Sequence, residues 1–251
     1  MKWFLGMVFV AVVLISPSRL ARADEKDAKA ILDKAIKAVG GEAKLGPITA
    51  ATWKTKGKIS FGGGDNEFTT QVTFQGLDHF RQEFEGEFGG NKVQGVTVLN
   101  GDKAWRKFGD MNMALDKDAV ANEKRTVYLQ VIPVTLVPLQ EKGFKLNTAG
   151  EEKVGGKSAV GISATEPDGK EFKLYFDKDS GLPVKLVAKV IGFMGEEFTQ
   201  ETLYDNYKDF GGIKKATRVE SKRDGERFLL QEITEFKVLD KVDPKTFAEP
   251  Q

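Results

Sequence analysis

The stretch EFTTQVTFQGLDHFRQEFEGEF, residues 67–88, carries the pattern that decides the fold. Large apolar residues alternate with polar ones on both sides of a Gly-Leu-Asp turn, which is typical of two antiparallel strands joined by a hairpin. The apolar positions are Phe68, Val72, Phe74, Phe80, Phe84 and Phe88. Because successive side chains of a strand point to opposite faces, the stretch predicts a sheet with one apolar and one solvated face.

The same two-residue period continues through most of the chain. We predict strands at residues 51–61, 67–75, 79–88, 93–99, 104–108, 144–146, 159–164, 172–177, 184–191, 197–207, 214–223 and 227–236. Short turns rich in Gly, Asn and Asp separate these segments, and such turns make neighbouring strands antiparallel. We therefore expect a single curved antiparallel sheet of about eleven or twelve strands that forms an incomplete β-barrel.

Two helices are predicted to cover the concave face of this sheet. Apolar residues at three- and four-residue spacing between Ala28 and Val39 predict an amphipathic helix over residues 24–39, ended by a Gly-Gly pair. A second helix is predicted within residues 116–140, where Pro133 is expected to end it. No linker marks a second domain, so we predict a mainly β (α+β) fold in one domain, residues 24–251.

The first 23 residues predict a cleaved signal peptide. Lys2 supplies a positive charge, residues 3–15 form an unbroken apolar run, and Ala21-Arg22-Ala23 matches a cleavage site. The alternative is a membrane anchor, but the run is shorter than the roughly 18 residues of a spanning helix. We therefore expect cleavage after Ala23 and a soluble periplasmic product.

The composition excludes several kinds of chemistry. The chain has no Cys, a single His and a formal net charge of +1 from 38 basic and 37 acidic residues. Disulfides, thiolate metal sites and cysteine nucleophiles are therefore absent, and a nucleic-acid binder would normally carry a basic face. We expect no enzyme activity, no cofactor, no metal and no nucleic-acid partner.

Four stretches carry a resemblance to a known family. They are AIKAVGG at residues 35–41, VLNGDKAW at 98–105, YFDKDSGLPV at 175–184 and VDPKTFAEP at 242–250. Their order and spacing resemble those of the outer-membrane lipoprotein-sorting carriers (LolA/LolB-like). The resemblance implies an incomplete antiparallel barrel, closed by helices, with a hydrophobic concavity. It does not extend to that family's lid switch, because Gln75 or Gly76 stands where the family has a strand Arg.

Apolar residues of the strands and the mid-chain segment are the candidate site. Trp53 and Trp105 lie in otherwise charged strands, which predicts that both point inward. The predicted hydrophobic lining consists of Trp53, Phe68, Val72, Phe74, Phe80, Phe84, Trp105, Leu136, Phe172, Leu174 and Phe176. The predicted lid or membrane-contact residues are Val131, Ile132 and Leu139 in an unusually apolar connection, with Phe193 and Met194 at a hairpin tip.

These observations predict a soluble periplasmic carrier or binder of an apolar ligand, without catalysis. The expected partners are acyl chains of a lipid or lipoprotein, with a membrane-protein donor or acceptor, and the carrier is taken to be a monomer. The alternative is an interaction module of the envelope whose half-barrel is filled by its own side chains. A continuous apolar cavity of roughly 300 Å³ or more would favour the carrier, and a filled interior would favour the module.

Overall fold

The computed structural model describes residues 17–61, 63–192 and 195–251. In this part of the chain, thirteen strands form one antiparallel sheet. They are β1 (Ala50–Phe61), β2 (Gly64–Gln75), β3 (His79–Phe88), β4 (Asn91–Asn100), β5 (Lys103–Phe108), β6 (Met111–Ala114), β7 (Lys145–Val154), β8 (Lys157–Thr165), β9 (Glu171–Asp177), β10 (Pro183–Ile191), β11 (Glu197–Asp209), β12 (Lys214–Arg223) and β13 (Glu226–Leu239).

The strand order is β6-β5-β4-β3-β2-β1-β13-β12-β11-β10-β9-β8-β7. The chain thus forms two meanders, and the pairing of β1 with β13 joins them in the middle of the sheet. Because β6 and β7 do not pair with each other, the sheet is not closed into a barrel. The predicted mainly β fold with a single curved antiparallel sheet is confirmed.

The predicted number of strands is too low. Each of the twelve predicted segments overlaps a strand, although residues 144–146 cover only the start of β7, and the additional strand is β6, at an edge of the sheet. All four residues of β6 are exposed, so this strand has no buried face to impose an alternating pattern on its sequence.

Helix α1 (Pro17–Val39) packs mainly against β7, β8 and β12. Its buried face consists of Ala28, Leu32, Ala35, Ile36 and Val39, which are the residues whose spacing predicts the helix. The helix ends where the Gly-Gly pair follows, because Gly41 adopts a φ of 83°, which other residues rarely adopt. A short helix, α2 (Glu42–Leu45), leads into β1.

Helix α3 (Lys117–Thr135) joins the two edge strands β6 and β7 and therefore crosses the concave side of the sheet. It contacts β4 and β5 in one meander and β10 in the other. The Asp116 side chain caps its start by accepting a hydrogen bond from the backbone N–H of Ala119 at 2.9 Å. A 3-10 turn (Val137–Gln140) follows the helix.

The prediction that Pro133 ends this helix is wrong. Helix α3 continues to Thr135 and ends at Leu136, which has a left-handed φ of 63°. A proline in the last turn removes only the hydrogen bond to the carbonyl four residues earlier. Buried Ile132 and Val134 on either side of Pro133 keep this turn packed in the core.

The N-terminal prediction lies largely outside the described residues. The structure describes the chain from Pro17, which falls within the predicted signal peptide 1–23. None of the helices in the described part of the chain has the length and apolar character needed to span a bilayer.

Candidate functional site

A cleft of about 370 Å³ lies between helix α3 and the concave face of the sheet. Leu129, Pro133 and Val134 of α3 form one wall, and side chains from β1–β3 and β10–β13 form the other. Among its lining residues, Trp53 is only 5 % exposed, whereas Ile191 is 44 % exposed. A volume of this size falls in the range of small-molecule sites.

Four of the predicted lining residues form the cleft wall: Trp53, Phe68, Val72 and Phe84. The Phe68 and Phe84 rings stack across β2 and β3 with centroids 5.7 Å apart. Six further predicted lining residues pack in the hydrophobic core and do not line the cleft; these are Phe74, Phe80, Leu136, Phe172, Leu174 and Phe176. Most of the apolar concave face is therefore filled, and the cleft occupies the remaining part beneath α3.

Trp105 lies on the opposite face of the sheet from the cleft. Its neighbour Ala104 belongs to the core on the concave side, whereas Trp105 packs with Val98 and Phe247 on the outer side. The C-terminal segment folds back over this face, where the Phe247 carbonyl accepts a hydrogen bond from Asn100 Nδ2 at 3.1 Å. The inward orientation predicted for Trp105 is wrong, because this segment buries the outer face locally.

The predicted lid residues Val131, Ile132 and Leu139 are buried in the core. They are not an exposed rim; Val131 and Ile132 anchor helix α3, whose other residues cover the cleft. The remaining two predicted lid residues, Phe193 and Met194, lie outside the described residues.

A buried ion pair fixes α3 to the second meander. Arg125 Nη1 donates to Glu166 Oε1 at 2.7 Å, and both side chains are almost fully buried. Arg125 also donates from Nε to the Lys189 carbonyl and from Nη2 to the Glu171 carbonyl, each at 2.9 Å. Burial outweighs the attraction of Arg125 and raises the pKa of Glu166 to about 7.

On the other side of the helix, Glu123 accepts a hydrogen bond from Arg106 of β5. The neighbouring Lys124 pairs with Asp102, whose side chain is exposed. Helix α3 is therefore held to both meanders, which fixes the roof of the cleft in place.

Lys215 is a charged residue of the cleft that the sequence analysis missed. Its Nζ lies 4.7 Å from the centroid of the Trp53 ring and 5.2 Å from that of Phe236. Burial lowers the pKa of the Lys215 ammonium to about 7. Alternation from Val219 back to position 215 would have placed this lysine on the apolar face. Because positions 214 and 215 are both Lys, the sequence shows no polar–apolar alternation there.

Arg223 marks the far end of the cleft on the same strand. Its guanidinium lies 3.6 Å from the centroid of Phe228 and 5.1 Å from that of Phe198. At about 3.3 Å per strand residue, the backbones of Lys215 and Arg223 are at most about 26 Å apart along β12. The cleft is thus a channel lined by both apolar and polar side chains, with a cation near each end.

A second depression, of about 760 Å³, lies on the outer face and has a different character. Charged residues such as Lys56, Glu67 and Glu85 line it, and Lys56 pairs with Glu232 at 3.9 Å. This surface is a solvated sheet face. Among the described residues, no group of three or more His, Asp or Glu side chains is placed to hold a metal ion.

Comparisons with known proteins place this architecture among LolA-like folds. No protein-family model matches the sequence, and no curated protein matches it. Solved structures do match. A LolA superfamily protein from Nitrosomonas europaea is 12 % identical with a TM-score of 0.57, and the match covers 88 % of this chain and 97 % of that one.

Two further structures have a TM-score of 0.54. A DUF1329 family protein from Desulfovibrio piger is 14 % identical over 88 % of this chain and 97 % of its own. A domain described as an outer membrane lipoprotein-sorting protein, from Vibrio parahaemolyticus, is 9 % identical over 89 % of this chain and 97 % of its own. At these identities the likeness shows the fold. The LolA-like architecture implied by the sequence resemblance is confirmed.

Proposed function

We propose that this protein is a periplasmic carrier or binder of an apolar ligand, namely the acyl chains of a lipid or lipoprotein, and that it performs no catalysis. The observation that carries the proposal is the cleft between helix α3 and the sheet, whose wall includes Trp53, Phe68 and Phe84 beside polar side chains such as Gln82 and Thr202. The LolA-like fold and the predicted signal peptide support it.

The energetics of the cleft are sufficient for such a ligand. Each methylene removed from water contributes about 0.8 kcal/mol, so ten buried methylenes supply about 8 kcal/mol. This corresponds to a Kd of about 1 μM. Because the cleft offers about 370 Å³, it favours a carrier over an interaction module with a filled half-barrel.

The proposal predicts that the protein retains lipid during purification. We expect that protein exported to the periplasm of a Gram-negative host and purified without detergent carries a bound acyl compound. Native mass spectrometry should show the added mass, and denaturing mass spectrometry should release it. An apo mass together with no uptake of a fluorescent fatty acid would contradict the carrier and favour the interaction module.

A further inference from the structure

Lys215 has no countercharge among the residues that the structure describes. Among residues 17–61, 63–192 and 195–251 it forms no ion pair and no hydrogen bond, and its only polar contacts are with the faces of two aromatic rings. The acidic residues closest in sequence have other partners. Asp209 accepts from the Gly212 backbone N–H at 2.6 Å, and Glu220 pairs with Arg218 at 3.5 Å on the outer face.

An ammonium in this position is unfavourable without an anion. Transfer of a charged group from water to an apolar environment carries a large free-energy penalty unless the charge is paired and hydrogen-bonded. Aromatic faces compensate only part of that penalty. Since Lys215 lines the cleft, the missing partner has access to it from the same space that would hold an acyl chain.

The position of Lys215 fixes the orientation of such a partner. The residues around it, Trp53, Ala216 and Phe236, are buried, whereas Ile191 toward the other end is 44 % exposed. Lys215, which is itself half-buried, therefore stands at the more enclosed end of the cleft. Val219 and Leu229 lie between it and the open end, beside the Thr202 and Ser221 hydroxyls, which hydrogen-bond to each other at 3.1 Å. Among the lining residues, the space leading away from the ammonium therefore has no further charge before Arg223.

Building on the proposed function, we infer that Lys215 binds the carboxylate of a single-chain fatty acid, whose alkyl chain runs along β12 toward the open end of the cleft. A carboxylate matches the single charge of one ammonium. A phosphate monoester carries between one and two negative charges near neutral pH, and the backbone of the other cation of the cleft, Arg223, is at most about 26 Å away along β12.

The test compares three C16 amphiphiles that differ in their head group: hexadecanoate, hexadecanol and hexadecyl phosphate. Each is titrated at pH 6 against the exported protein loaded with N-phenyl-1-naphthylamine, a neutral fluorescent probe of apolar sites. The variants are Lys215→Met and Lys215→Gln, and Lys214→Met is the matched control because Lys214 is exposed on the adjacent position.

We expect wild-type protein and Lys214→Met to bind hexadecanoate about ten- to a hundredfold more tightly than hexadecanol, as a charge-assisted hydrogen bond would provide. Both Lys215 variants should lose this preference and still bind hexadecanol. If the Lys215→Met protein does not fold, the Lys215→Gln protein serves instead, because it keeps a polar side chain and removes the charge.

Two results would overturn the inference and leave the proposed function standing: equal binding of hexadecanoate and hexadecanol by wild-type protein, or a Lys215-dependent preference for hexadecyl phosphate over hexadecanoate. A third result overturns both proposals. It is the failure of wild-type protein to take up the neutral probe or any of the three amphiphiles.

Discussion

Val219→Trp is expected to lower the affinity for an acyl chain by about 100-fold while the protein remains folded. Val219 points inward from β12, opposite Tyr204 of β11 and Gln231 of β13, and lines the cleft. An indole at this position would occupy space that the chain needs. Exclusion of three or four methylenes removes about 3 kcal/mol of binding free energy, which corresponds to an affinity about 100-fold lower. Displacement of a fluorescent fatty acid measures the change.

Val238→Trp is the matched control for this substitution. Val238 is 41 % exposed and does not line the cleft, so the same change there should leave acyl-chain affinity as it is in the wild type. Thermal unfolding of both variants checks that they fold. A folded Val219→Trp protein with wild-type affinity would show that the acyl chain binds elsewhere.

Arg125→Ala is expected to lower the free energy of unfolding by about 3–5 kcal/mol, because it leaves the buried Glu166 without its partner. It also removes the donors to the Lys189 and Glu171 carbonyls, which tie α3 to the second meander. Without Arg125, the pKa of Glu166 rises further above its value in the unfolded chain. A carboxyl group with a raised pKa in the folded state destabilises that state as the pH rises, because it must then ionise while buried. The loss should therefore be larger at pH 8 than at pH 5.

Urea denaturation measures this loss, and the same helix offers a control. Lys124 pairs with Asp102 in an exposed ion pair, so Lys124→Ala should change stability by at most about 1 kcal/mol. The double variant Arg125→Met, Glu166→Leu should recover much of the loss, because it removes both charges together. An Arg125→Ala loss no larger than that of Lys124→Ala would contradict a role for this pair in holding α3.

The sequence predicts the sheet well because one face of nearly every strand is buried. In β2, the buried residues Phe68, Thr70, Val72 and Phe74 alternate with more exposed ones, as the period-two pattern requires. Helix α1 ends at the glycine pair for the same kind of local reason. Both features depend on residues close together in the chain.

The site is less predictable because it depends on what covers each face. Alternation places Phe80 and Phe84 on one face, but only the tertiary structure decides that Phe80 packs in the core and Phe84 lines the cleft. Trp105 is on the outer face because the C-terminal segment, more than 130 residues away, covers it. Pro133 is accommodated within α3 because neighbouring residues are buried against the core.

The most direct test of an acyl chain in the cleft uses the different positions of Trp53 and Trp105. Of the three Trp residues, Trp3 lies in the predicted signal peptide, so in the exported protein Trp105→Phe leaves Trp53 alone and Trp53→Phe leaves Trp105 alone. Each variant is titrated with a brominated fatty acid, whose bromine atoms quench tryptophan fluorescence on close contact. We expect saturable quenching of Trp53, in the cleft wall, and none of Trp105, on the outer face. Equal quenching of both, or no quenching of Trp53, would contradict binding of the chain in the cleft.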